Sequence, residues 1–263
     1  MTGSSRWSDL LPRIASGFVM LAAGGYAIWA GGLVFAALIA VCCGVMIWEL
    51  ARMLQPGSRA VPLQLGGLAG AAVLAAAYVP VQFGLPLLAA PAMAGFSQIG
   101  AQRRYWLSFA LWVLLAGFGF IWLRSQLGMN WLLWLAGVVI ATDVAGYFAG
   151  KILGGPKFWP RVSPKKTWSG TAAGWAAAAG AGAVFALSTD AGFALLALSV
   201  LISMASQAGD IAESALKRKT GVKDSSALIP GHGGLFDRFD GMLGASAMVI
   251  ILMLLGALPN GVA

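Results

Sequence analysis

Long apolar runs separated by short polar stretches dominate this chain. A helix crossing the ~30 Å of bilayer hydrocarbon needs about 20 apolar residues. By that rule the sequence predicts spans near 13–30, 32–51, 62–80, 83–101, 105–123, 131–150, 170–188, 191–209 and 241–258. The first two share one apolar run, divided at Ala30-Gly31-Gly32, and the third and fourth are rich in Gly, Ala and Pro. Small residues in the third, fourth and seventh spans suit close helix packing. The expected fold is all-α: a polytopic integral membrane protein with about nine transmembrane helices and cytoplasmic active-site loops. It divides into N-terminal transmembrane helices over 1–130, about five spans, and a C-terminal catalytic region over 131–263. The latter carries polar loops at 151–169 and 210–240.

Composition agrees with the pattern. Hydrophobic residues make up 59% of the 263 positions and charged residues 10%, which excludes an ordinary soluble globule. The 11 tryptophans suit interfacial belts. Cys42 and Cys43 are adjacent in an apolar run without His or Cys at metal-ligand spacing, so both read as packing residues. No small-residue cleavage site follows a short apolar core near Met1 to Pro12, and no removable signal peptide is expected.

Charge gives the orientation. With the N-terminus and alternate loops inside, all but Arg124 of the 17 basic residues, from Arg6 to Arg238, fall on the cytoplasmic side. Ala263 is then outside. Basic inner loops near anionic lipid account for the net charge of +8, so the chain is expected to bind membrane lipid and no nucleic acid. The sequence shows no coiled-coil heptads and no inverted repeat of the transporter kind.

The chemistry concentrates in the two polar loops. Asp210, Glu213, Ser214 and Lys217 lie at i, i+3, i+4 and i+7, one face of a helix leaving the membrane. Paired carboxylates continued by hydroxyl and ammonium groups can hold a hard divalent cation and the phosphate it bridges. A solvated helix end with a Glu-to-Lys pair gives the same spacing. Asp237 and Asp240 form a second acidic pair; with Asp210 and Glu213 they are the candidate metal ligands, for one or two Mg2+ ions with a monovalent co-ion admitted. Gly233 and Gly234 beside His232, the only histidine, permit close backbone approach to an anion. His232 itself reads either as a phosphate contact or as a structural hydrogen-bonder. Asp143 lies within an apolar span, where a carboxylate marks function or caps a broken helix. Ser163-Pro-Lys165-Lys166-Thr167 offers hydroxyl and ammonium groups to a polyphosphate, whereas Gly150 to Lys157 lacks the Gly-Lys-Ser/Thr ending of a P-loop. Glu49 and Arg52, at i, i+3 near the end of the second span, read as a local ion pair.

The stretch from Ser214 to Asp240 resembles the signature of phosphatidate cytidylyltransferases, also called CDP-diacylglycerol synthases. Ser214, Lys217, Arg218, Lys223, Asp224, Pro230, His232, Gly233, Gly234, Asp237, Arg238 and Asp240 meet it. The preceding Gln207-Ala-Gly-Asp210-Ile-Ala-Glu213 and Ser163-Pro-Lys-Lys-Thr-Trp168 are also similar to that family, while Ser169 stands where its members often carry Glu or Gln. The resemblance covers the chain from about Asp143 onward; the earlier spans match only as generic hydrophobic helices.

The resemblance implies that CTP and phosphatidic acid are the partners and CDP-diacylglycerol and pyrophosphate the products, at the cell (inner) membrane. It implies catalytic roles for Asp210, Lys217, Arg218, Lys223, Asp224, His232, Asp237, Arg238 and Asp240. Asp143, Ser163, Lys165, Lys166, Thr167, Ser214, Gly233 and Gly234 would bind substrate. The reaction suits a chain poor in histidine, because a phosphate monoester with a second pKa of about 6 is largely dianionic and needs no strong base. Two other readings remain at this point: a CTP-dependent polyprenol or lipid kinase, and a cation-coupled membrane transporter. The sequence leaves a homodimer open.

Overall fold

A computed structural model describes residues 10–259. The expected inner placement of Arg6 and outer placement of Ala263 lie outside the described residues. Among the described residues nine α-helices follow one another: α1 Leu10–Ala30, α2 Gly32–Leu54, α3 Ala60–Ala76, α4 Val81–Gln98, α5 Arg103–Trp122, α6 Met129–Ile152, α7 Trp168–Ser188, α8 Ala194–Thr220 and α9 Phe236–Leu254. A π-helical turn, Leu123–Leu127, joins α5 to α6. Each helix overlaps one predicted span. Among the described residues, six are long and apolar enough to cross a membrane: those in α1, α2, α5 with its π turn, α6, α7 and α8. This is a multi-pass membrane protein by length and composition. The boundary anticipated at Ala30-Gly31-Gly32 is real, because Gly31 adopts φ 62°, a left-handed conformation that ends α1 and that side chains resist.

The stretch 151–169, expected as a polar loop, holds a hairpin. Strand β1, Lys157–Trp159, pairs antiparallel with β2, Ser163–Thr167. Gly154 and Gly155, at φ 62° and 98°, turn the chain out of α6. Thr167 then caps α7 by accepting a hydrogen bond from the Gly170 amide at 3.2 Å. Ser169, the position that departs from the family pattern, donates to the Gly154 carbonyl and so ties the start of α7 to the turn before the hairpin.

The chain divides into two compact units that do not follow sequence order. The first comprises 1–121 with 220–239, and the second 122–219 with 240–263. Most of the signature loop, Thr220–Phe239, thus belongs with the N-terminal helices.

In the first unit, α2 packs on α3 with backbones touching. A Cβ on Gly44 would stand 2.8 Å from the Gly66 carbonyl oxygen, so neither position has room for a side chain. Ile47, Leu50, Leu65 and Val73 are buried around this contact. Trp106 of α5 is also fully buried, and its indole N–H donates to the Ala92 carbonyl at 2.8 Å.

The second unit is held by hydrogen bonds along one stripe of α8. Ser199 accepts from the Trp134 indole at 2.9 Å, Ser203 from Thr142 at 2.8 Å, and Gln207 from the Trp175 indole at 3.0 Å. In hydrocarbon a lone polar group is costly, so these pairs fix which face of α8 meets α6 and α7. The same stripe continues to Asp210.

Candidate active site

The motif residues fall into both units, and each group has its own geometry. In the second unit, α6, the hairpin, α7 and α8 line a cavity of about 570 Å³. Asp143 on α6 and Asp210 on α8 supply its carboxylates, while Lys151, Lys157, Lys165 and Lys166 supply its cations. Thr167, Thr171 and Gln207 add neutral polar groups. Beside the cavity α6 and α7 approach through glycine: a Cβ on Gly170 would sit 2.5 Å from the Gly146 carbonyl oxygen. Lys166 reaches Asp210 at 2.6 Å, and both are partly exposed, so the pair is weak and open to competition from another anion. Ser214 donates to Asp210 at 3.3 Å.

Helical spacing on α8 is as expected, with a consequence the spacing did not show. Glu213 is fully buried and its carboxylate meets Lys217 at 2.6 Å. Asp240 precedes the apolar stretch of α9. Burial, and then the charge of Asp210, pushes its carboxyl up to about 7. Asp143 adds repulsion to Asp240. Among the described residues, no three acidic, histidine or cysteine side chains converge to hold a metal ion. Two hard carboxylates facing one cavity, Asp143 and Asp210, nonetheless fit Mg2+, which takes one or two carboxylates plus substrate phosphate oxygens and water.

In the first unit the signature loop carries Lys223, Asp224, His232, Gly233, Gly234, Asp237 and Arg238. Asp237 turns inward: its Oδ2 accepts from the Ser225 amide at 2.9 Å, the Ser225 hydroxyl at 2.9 Å and the Gly234 amide at 2.8 Å. Gly233 stands at φ 82°, and an isolated bridge pairs Ile229 with it. His232 is half-buried, with Nδ1 2.9 Å from the hydroxyl of Ser16 on α1. Of the two sequence readings of His232, this geometry favours the structural hydrogen-bonder at that nitrogen. Arg238 donates through Nε to the His232 carbonyl at 2.9 Å and remains exposed.

The expected Glu49–Arg52 ion pair is not formed. The Arg52 guanidinium lies over the Trp48 ring, 4.9 Å from its centroid. Glu49 is fully buried and accepts from the Ser226 hydroxyl at 2.6 Å, the Leu235 amide at 2.9 Å, the Phe236 amide at 2.7 Å and the Ser225 hydroxyl at 3.3 Å. The reason is competition. Two N–H groups at the N-terminus of α9 give a carboxylate fixed, aligned donors, which a flexible exposed arginine does not. Sequence reasoning missed Glu49, Ser16, Ser225 and Ser226; a lone carboxylate inside an apolar run was the available signal for the first.

Comparison with known proteins places this geometry in a family. The chain is 45% identical over 135 residues to a phosphatidate cytidylyltransferase of Brucella suis, covering 51% of this chain and 50% of that protein. It is 39% identical over 141 residues to one of Bacillus subtilis, covering 52% of each. The match thus spans about half the length of these relatives. A phosphatidate cytidylyltransferase of Helicobacter pylori (strain J99) is 34% identical over 253 residues, 92% of each chain. The profile of the cytidylyltransferase family covers residues 11–255, both units and the signature loop alike, and the chain belongs to that family.

Proposed function

We propose that this chain is a phosphatidate cytidylyltransferase, acting at the cytoplasmic face of the cell membrane. The observation that carries the reading is the cavity of the second unit, where four lysines face two aspartates. Such a surplus of cations suits a polyphosphate, and the carboxylates suit a divalent ion bridging it. The family membership and the names of the relatives support the choice of CTP and phosphatidic acid as substrates.

In the reaction an oxygen of the phosphatidic acid phosphate attacks the α-phosphorus of CTP. A P–O bond forms there, and the bond from the α-phosphorus to the bridging oxygen breaks. Pyrophosphate leaves with the electron pair. The attacking group is already largely dianionic, so the barrier is repulsion between two anions rather than proton removal. Lys166 and Lys165 would bind the CTP phosphates, Lys166 exchanging Asp210 for phosphate. Asp143 and Asp210 would hold Mg2+, which when bound offsets phosphate charge. Lys223 and Arg238, both exposed on the signature loop, keep the catalytic roles that the family signature implies. The acyl chains would stay in lipid throughout.

The test is purified protein given CTP labelled at the α-phosphorus, phosphatidic acid and magnesium. Label is expected in the lipid phase, with pyrophosphate released in equal amount and both lost on chelation. Release of CDP instead of pyrophosphate would mean transfer of the γ-phosphoryl group and a lipid kinase.

A further inference from the structure

Among the described acids of the first unit Glu49 is the most completely enclosed, and the chemistry above gives it no task. It sits on α2, 176 or more residues away in sequence from every group it binds. Those groups are two hydroxyls and two amides of the signature loop, at its two ends: Ser225 and Ser226 before the turn, Leu235 and Phe236 after it. One carboxylate therefore closes the loop around Pro230 to Gly234. Asp237 repeats the closure from the other side by joining Ser225 to Gly234. Nor is there space to spare: a Cβ on Gly234 would stand 2.5 Å from Glu49 Oε1.

We propose that Glu49 is a positioning residue for the reaction, presenting Lys223, Asp224 and Arg238 by pinning both ends of the loop that carries them. This assignment rests on the proposed function. It gives the N-terminal helices a part in catalysis without contact to substrate. Only a carboxylate serves here, because both oxygens accept. Glutamine would turn an amide N–H2 toward either the Leu235 or the Phe236 amide, donor against donor.

The experiment compares the full chain with Glu49→Gln and Ser226→Ala, all purified in the same detergent. Two quantities are followed: hydrogen exchange of amides 220–239 without substrate, and kcat and KM with CTP and phosphatidic acid varied separately. Glu49→Gln is expected to lose amide protection in 220–239 while α3 and α5 keep theirs. Its kcat should fall at least about tenfold, with a smaller change in KM for CTP. Ser226→Ala should move both quantities the same way by about two- to threefold. A folded Glu49→Gln protein with wild-type loop protection overturns the proposal, whatever its turnover, as does loosened exchange with wild-type kcat. Should Glu49→Gln fail to fold, unchanged loop exchange in Ser226→Ala overturns it. A wild-type protein that forms no CDP-lipid would defeat the functional reading alone, since the exchange result needs no substrate.

Discussion

The two regions that carry the motif residues are alike in sequence, both basic and containing glycine, yet the carboxylates packed with them are used in opposite ways. In the second unit Asp143 and Asp210 line a cavity beside lysines, and the Lys166–Asp210 ion pair at that cavity is partly exposed. In the first unit Glu49 and Asp237 accept seven hydrogen bonds from the loop itself. One set of acids is kept available to a ligand; the other is spent on backbone geometry. An acid that shapes a loop has acceptor sites occupied by that loop, whereas an acid that meets a ligand must keep an oxygen accessible. Residue type and charge do not distinguish them, but hydrogen-bond partners do.

The largest effect should come from the available set. Asp210→Asn is expected to lower turnover by about 10²–10³-fold, the scale at which loss of one electrostatic stabiliser acts. Its melting temperature should stay near wild type, because Asp210 is half-exposed and weakly paired. A large drop in melting temperature would move Asp210 into the shaping class. Gly234→Ala should do the reverse: about 1–3 kcal/mol of destabilisation from overpacking against Ser225 and Glu49, read by thermal unfolding in detergent. If Gly234→Ala were as stable as wild type, the loop would be looser than the seven hydrogen bonds require.

Next in size is a split between two cations. Lys166→Ala is expected to raise KM for CTP about tenfold with kcat nearly kept, as a binding contact should. Arg238→Ala is expected to lower kcat instead, because its task is placed in the transition state. Steady-state kinetics with each substrate varied separately reads both, and identical effects of the two variants would erase the distinction between the loops. The smallest effect is assigned to Ser214→Ala. Its hydroxyl donates to Asp210 over 3.3 Å, a long hydrogen bond, and its loss should cost about twofold in turnover.

Much of this was legible in the chain. The helices stand where the apolar runs stand, because a helix satisfies its backbone polar groups within its own segment, as hydrocarbon requires. Asp210, Glu213, Ser214 and Lys217 share a helix, as their spacing required. Even the polar stripe Ser199, Ser203, Gln207, Asp210 is visible at steps of three and four residues. The partners of that stripe were not legible, since Trp134, Thr142 and Trp175 lie on other helices. Nor was the hairpin at Lys157–Thr167, whose short strands carry too little periodicity to read.

The sequence by itself determined the membrane class, the helix order and the residue types available for phosphate chemistry, because hydropathy, length and helical period are local properties. Only the tertiary structure decided which acids remain free to act. Glu49 reads locally as the partner of Arg52, three residues on. It is instead the acceptor for a loop 176 or more residues away, because the aligned amides of Leu235 and Phe236 are fixed donors at a fully buried carboxylate. Pairing between distant segments depends on which groups folding brings together, and no local period in the chain encodes that.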